Sequence, residues 1–303
     1  MPGASRPSLR TQHTSTLILE KAERDMSLRE AHNHGVLPTR RSVLIGALAG
    51  FTSIATKCVP ALAAADLAEV RALTFDMQGT VFDFYDPLNH AAQAIGHKYA
   101  LPGSWATALP AMWSNRAHDI IVQVSRGSRP WIPNTAVYRE ALMPVLAELG
   151  VSAWLTDEDR DELLAVWGKM IPWPDAVPGI TLLRDRYTIS TLTNASMAQM
   201  TALVKTSKLP FDEILTGELC QAFKPSPKVY QLAIDYIGLR PDQLLMVSAH
   251  KWDLRASKQA GFRTAYVPRP QELGPGHPED REPENFIDII AKDLVDLAGK
   301  LEV

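Results

Sequence analysis

The chain has 303 residues, enough for a sizeable core and a second, smaller unit. Its 34 acidic and 31 basic side chains leave a net charge of −3, which gives no electrostatic reason to expect nucleic acid or an anionic membrane surface as a partner. In chain order, residues 1–38 are polar and without sustained periodicity, and read as an extension; Met26 is an alternative start within it. Thr39-Arg40-Arg41-Ser42-Val43-Leu44 carries a twin-arginine pair, followed by an uncharged stretch to Thr56 and the small-residue run Ala61-Leu62-Ala63. This order suits an export signal over residues 39–65, cleaved near Ala64 or Asp66. The apolar stretch is too short for a transmembrane anchor and is interrupted by Lys57 and Pro60. Val43 and Ile45 depart from the usual form of the signal. Export would place the mature protein in the periplasm, with the twin-arginine translocase as a transient partner. Cleavage removes Cys58 and leaves Cys220 alone, so no internal disulfide is expected.

Val70 to Phe75 reads as a first, buried strand. From Leu88 to Trp167 the apolar spacing is helical, with Pro102, Pro110, Pro130 and Pro133 expected to separate the helices. Strand-like runs return at Thr188–Leu192, Glu213–Leu215, Leu244–Val247 and Arg263–Val267, with helical stretches between them, including Lys228–Ile237 and Asp253–Ala260. Pro268 to Pro283 is rich in Pro, Gly and charge and is expected to be a surface loop. Alternating strands and helices predict an α/β, Rossmann-like, doubly wound parallel sheet over residues 66–85 and 177–303, split by an all-α insert over 86–176.

Four short motifs follow strands. Asp76-Met77-Gln78-Gly79-Thr80 delivers one carboxylate to the carboxyl end of the first strand, where doubly wound folds place reacting groups; Asp is also common in turns. Thr193 and Asn194 suit a substrate carboxylate beside the N–H groups of the next helix, and equally suit a helix cap. Lys224 precedes Pro225 and Pro227, which stiffen the backbone behind it. An ammonium beside Asp76 would keep that carboxylate ionised. Ser248-Ala249-His250-Lys251-Trp252-Asp253 closes the set, with Asp253 also placed to complement a helix dipole.

The ordered set D-x-x-G-T, Thr193-Asn194, Lys224-Pro225-x-Pro227-x-Val229-Tyr230 and Ser248 to Asp253 resembles the haloacid dehalogenase superfamily and, within it, the type II (S)-2-haloacid dehalogenases. Arg129-Pro130-Trp131, Trp173-Pro174 and Val267-Pro268-Arg269-Pro270 add to the likeness. The resemblance implies a Rossmann-like core with a helical cap, no metal or other cofactor, and two-step hydrolysis of a small 2-halo carboxylic acid. Asp76 would attack C2 and form an ester. Thr80, Lys224 and Ser248 would position Asp76, and Asp253, with Lys224 and His250, would orient the hydrolytic water. Gln78, Thr193, Asn194, Tyr230 and Trp252 would bind the substrate or shape its site. A homodimer is compatible with this reading.

Two features bear on the alternative readings. Phosphatases of the superfamily carry an acid where this chain has Gln78, and another at Ala249, so phosphoryl transfer is disfavoured. The arginine that cradles the halide in the dehalogenases follows the cap tryptophan, and here Ser114 follows Trp113; Arg116 is the nearest arginine. Its loss leaves room for a small-acid-binding homologue of little turnover.

Overall fold

A computed structural model describes residues 67–276, 282 and 284–303. The extension and the export signal lie outside the described residues. The first strand, β1 (Ala72–Phe75), is buried along its length and sits in the middle of a six-stranded parallel sheet. Strands β4 (Thr188–Thr193) and β5 (Glu213–Thr216) lie on one side of it; β6 (Leu244–Ser248), β7 (Arg263–Tyr266) and β8 (Ile289–Ile290) lie on the other. The chain therefore builds outward from β1 in one direction and returns to build in the other. The crevice at the carboxyl ends of β1 and β6 is the switch point where such sheets take ligands. Phe75 pairs with Thr191 and Val247, so Asp76 leaves the sheet into that crevice.

The insert is helical where the spacing predicts it. Helices α1 (Tyr85–Lys98), α2 (Ser104–Ser125), α3 (Asn134–Glu148) and α4 (Asp157–Val166) bury their apolar faces against one another. Pro110 does not separate two helices as expected but lies inside α2. It has no N–H to offer the carbonyl of Ala106, four residues earlier. Beyond the helices, the insert is not all α. Phe82–Asp83 (β2) and Ile171–Pro172 (β3) form a two-stranded antiparallel stem where the chain leaves and re-enters the sheet domain. Strands this short carry no readable alternation.

The remaining helices are α5 (Ala176–Arg184), α6 (Met197–Ser207), α7 (Pro227–Ile237), α8 (Lys251–Gln259) and α9 (Leu294–Lys300). Ser196 caps α6 by accepting from the Gln199 N–H, and Asp293 caps α9 by accepting from the Asp296 N–H. Two contacts fix the cap wall over the sheet. The Trp113 indole donates to the Tyr138 carbonyl (2.8 Å), tying α2 to α3. The Ser125 hydroxyl reaches the Phe223 carbonyl (3.0 Å), just before Lys224.

Candidate active site

The turn after β1 is shaped by one glycine. Gly79 has φ +82°, and a Cβ there would fall 2.2 Å from Glu272 Oε1. Thr80 then turns back so that its hydroxyl donates to Asp76 Oδ2 (2.7 Å) and accepts from the Ala249 N–H (2.9 Å), joining the ends of β1 and β6. The turn is clamped from outside as well. The Trp173 indole donates to the Gly79 carbonyl (2.8 Å), and Arg269 donates to the Thr80 carbonyl (2.9 Å) while its fork holds both oxygens of Asp175 at 2.8 Å. Gly79→Ala is therefore expected to lower stability by roughly 1–2 kcal/mol through its positive φ alone. It should also push Glu272 aside. Thermal unfolding of the variant checks the first effect, and an unchanged midpoint would contradict it.

Behind Asp76 lies a buried charge cluster. The Lys224 ammonium, with no exposed surface, donates to Asp76 Oδ1 (2.9 Å) and Asp253 Oδ2 (2.5 Å). Asp253 sits in the first turn of α8, and its other oxygen accepts from the Tyr230 hydroxyl (2.7 Å). The Lys224 backbone N–H donates to Asn194 Oδ1 (2.7 Å), which fixes the lysine's stem and turns the Asn194 amide NH2 into a donor for the cleft. Burial alone would raise the Asp76 pKa, but the charges of Lys224 and His250 outweigh it and hold the carboxyl far below its usual range. Burial likewise works against the charged form of Lys224, and the two carboxylates overcome it, raising the lysine. Asp253 is raised, by burial first and also by the neighbouring Asp76 charge. Asp76 is thus the more acidic member of the pair.

His250 lies between two carboxylates. Nδ1 is 3.0 Å from Asp76 Oδ2, and Nε2 is 2.8 Å from Glu272 Oε1. Only a doubly protonated ring donates to both. Burial would lower its pKa, but the charge of Glu272 and the hydrogen bonds to Asp76 and Glu272 lift it well above the ordinary value. The Asp76 oxygens are unequally used: Oδ2 meets Thr80 and His250, while Oδ1 meets Lys224 alone among the described residues. The less engaged oxygen, Oδ1, keeps a lone pair for attack.

Asp76, Gln78, Asn194, His250 and Trp252 face a cleft of about 320 Å³ between the sheet domain and the cap. Ser114, Asn115 and His118 of α2 form the opposite wall. Several expected residues stand elsewhere. Arg116 is outside the cleft, exposed and 3.5 Å from Glu148, because two residues along a helix turn a side chain about 200° away from Ser114. Tyr230 is buried behind Asp253 rather than lining the cleft. Thr193 is also buried, its hydroxyl accepting from the Ala195 N–H (3.2 Å) in the turn before α6. Ser248 accepts from the His250 N–H (3.0 Å) and so places His250, not Asp76. Conversely, Glu272 and Tyr138, whose hydroxyl lies 3.5 Å from Gln78 Oε1, face the cleft from segments where no motif marked them.

The donor set does not fit a hard divalent cation, which takes six or more oxygens. The space between Asp76 and Asp253 holds the Lys224 ammonium, and Gln78 and Ala249 add no anionic oxygen. What the arrangement can do is present an ionised carboxylate, braced from behind, to an electrophile held in a half-polar cleft.

Known proteins resemble this chain in sequence and fold. A family model described as haloacid dehalogenase-like hydrolase matches residues 70–261. Among curated proteins, (S)-2-haloacid dehalogenase 4A of Burkholderia cepacia is 27% identical over 210 residues, spanning 66% of this chain and 84% of the relative. The (S)-2-haloacid dehalogenase of Xanthobacter autotrophicus is 27% identical over 206 residues, 66% of this chain and 76% of its own. A crystal structure of a defluorinating L-2-haloacid dehalogenase superposes with a TM-score of 0.71 at 31% identity, covering 77% of this chain and 96% of that one. The chain belongs to the haloacid dehalogenase-like hydrolases.

Proposed function

We propose that this hydrolase converts short 2-haloalkanoic acids to 2-hydroxy acids through an aspartyl ester on Asp76. The observation that carries the reading is the placement of Asp76: ionised, backed by Lys224, lining the cleft, and without an acid at position 78. The likeness to dehalogenases over most of the chain supports the choice of substrate. In the first step Oδ1 displaces halide from C2 in line, forming a C–O bond as the C–halogen bond breaks. The Asn194 amide NH2 and the N–H groups before α6 are suited to the substrate carboxylate.

Ester formation consumes the negative charge that faced His250 Nδ1. One of the two carboxylates that held the ring protonated is then gone, and a proton leaves to solvent, matching the acid that the overall reaction releases. Glu272 keeps the remaining proton on Nε2, so Nδ1 presents its lone pair to water beside the ester carbonyl. Attack on that carbonyl frees the hydroxy acid and restores both the Asp76 carboxylate and the imidazolium. Halide release from 2-chloropropionate, measured with a chelator present, tests the reading. Chelator-insensitive chloride with equimolar hydroxy acid is expected. Phosphate release from a phosphoester, with no chloride from the haloacid, would replace it with phosphatase chemistry.

We propose further that residues 39–65 export the folded protein to the periplasm by the twin-arginine pathway. The support is the Arg40-Arg41 pair, the uncharged stretch behind it and the small residues at 61–65. Replacing both arginines by lysine should retain the protein in the cytoplasm. Continued recovery of the variant from the periplasmic fraction would remove the proposal.

A further inference from the structure

An in-line displacement sends the halide away from Asp76, towards the wall formed by α2. The position that bears an arginine in the resembled enzymes is Ser114, which cannot carry charge. His118 follows it by four residues, one helical turn on the same face. The ring of His118 faces the cleft and packs on Trp252 with centroids 5.2 Å apart, and Trp252 in turn stacks on His250 at 5.7 Å. Neither nitrogen of His118 has a hydrogen-bond partner among the described residues. Of the residues that α2 presents to the cleft, His118 alone can become cationic.

We propose that His118 replaces the missing arginine as the group that receives the departing halide. The proposal rests on the dehalogenase reading and deepens it. As the C–halogen bond breaks, the electron pair leaves with the halide, and the His118 N–H donates a hydrogen bond to it. No proton is transferred in the step. A charged donor holds an anion roughly twice as strongly as a neutral one.

This cation, unlike an arginine, titrates. The titratable groups facing it are His250 across Trp252, Asp119 on its own helix, Tyr138 of α3, and Asp76 and Glu272 across the cleft. Burial first, and then the positive charge of His250, set its pKa below the usual histidine value, with Asp119 opposing weakly. The charged form therefore grows as pH falls. Asp76 stays ionised over the same range because Lys224 and His250 hold it low.

The test is single-turnover halide release from 2-chloro- and 2-bromopropionate across a pH series, by the full chain and by His118→Gln. For the unaltered protein, chloride release should be fastest on the acid side and about tenfold slower on the alkaline side, where only a neutral donor remains. His118→Gln should run at the slow rate at every pH. Its loss should be larger for chloride than for bromide, the better leaving group. Adding Ser114→Arg to His118→Gln should restore the fast rate without pH dependence, since guanidinium does not titrate there. A His118→Gln variant that keeps the wild-type rate and profile overturns the assignment. So does one that loses both halides equally with the pH slope intact, which is what a packing role would give. No halide from the unaltered protein at any pH overturns the dehalogenase reading itself, and this assignment with it.

Discussion

Asp76→Asn is expected to reduce turnover by several orders of magnitude and to leave the fold intact, because the group removed is the covalent nucleophile. The amide keeps the carboxylate's shape. Its oxygen can still accept from Lys224, whose second partner, Asp253, is untouched. His250 loses one of its two carboxylates and should titrate closer to an ordinary histidine, which NMR of the ring would read directly. A folded Asp76→Asn protein with near-normal halide release would eliminate the ester mechanism. The isotope counterpart is one turnover by excess enzyme in heavy-oxygen water. Water that attacks the ester carbonyl leaves its label on Asp76, whereas direct displacement by water labels the product alone. The unequal use of the two Asp76 oxygens sharpens the expectation. Each new oxygen takes the place of Oδ1, so repeated turnovers should leave one labelled oxygen on Asp76. Two labelled oxygens would show that the carboxylate rotates between cycles.

The residues that brace Asp76 are legible in the sequence because the motifs end strands, and strands of a parallel sheet end together. Knowing that Phe75, Thr193 and Ser248 each close an inner strand is enough to place Asp76, Asn194 and Asp253 near one another, whereas Lys224 comes beyond the edge strand β5 and is brought in by its backbone bond to Asn194. Register then distinguishes residues one position apart, which motif matching does not: Asn194 reaches the cleft while Thr193 is folded into the turn before α6. Glu272 shows the opposite limit. It lies in a loop whose Pro, Gly and charge read as solvated surface, and composition cannot say which of its carboxylates folds back over Gly79 onto His250. In the cap, helical periodicity identifies α2, but the wall it offers to the cleft depends on how the helix is rotated. The contacts of Arg116 with Glu148 and of His118 with Trp252 fix that rotation and tell the two side chains apart. The stem strands and β8 are two residues each, shorter than any alternation can reveal.

Lys224→Met should be nearly as damaging to rate as loss of the nucleophile, and should in addition make stability rise more steeply on acidification. In the native cluster one buried ammonium serves two buried carboxylates at 2.9 and 2.5 Å. Replacing it with an apolar chain of similar length leaves Asp253 with no counter-charge and Asp76 with the His250 imidazolium alone, and breaking a buried pair in this way costs roughly 3–5 kcal/mol. The sign of the pH effect follows from the shifts. Asp76, depressed when folded, contributes stability that is present above its unfolded pKa and lost only as pH falls through its folded one. Lys224, raised when folded, contributes stability that is present below its unfolded pKa and lost only as pH rises through its folded one. Both contributions are in place across the neutral range, where His250, raised when folded, adds stability that is present below its unfolded pKa and lost as pH rises through its folded one. In Lys224→Met the depression of Asp76 weakens, because of its two cations only His250 remains, while burial and like charge act on Asp253 with no cation to oppose them, so at least one carboxylate takes up a proton. Its folded pKa then exceeds its unfolded one, the folded state binds more protons, and stability should rise as pH falls through the neutral and mildly acidic range. The rate should follow the population of ionised Asp76 and be lower by at least about a hundredfold at neutral pH. Denaturant midpoints measured across that range would decide the matter. A variant whose midpoint falls on acidification, or changes with pH just as the native protein's does, would show that Lys224 is not what keeps Asp76 charged.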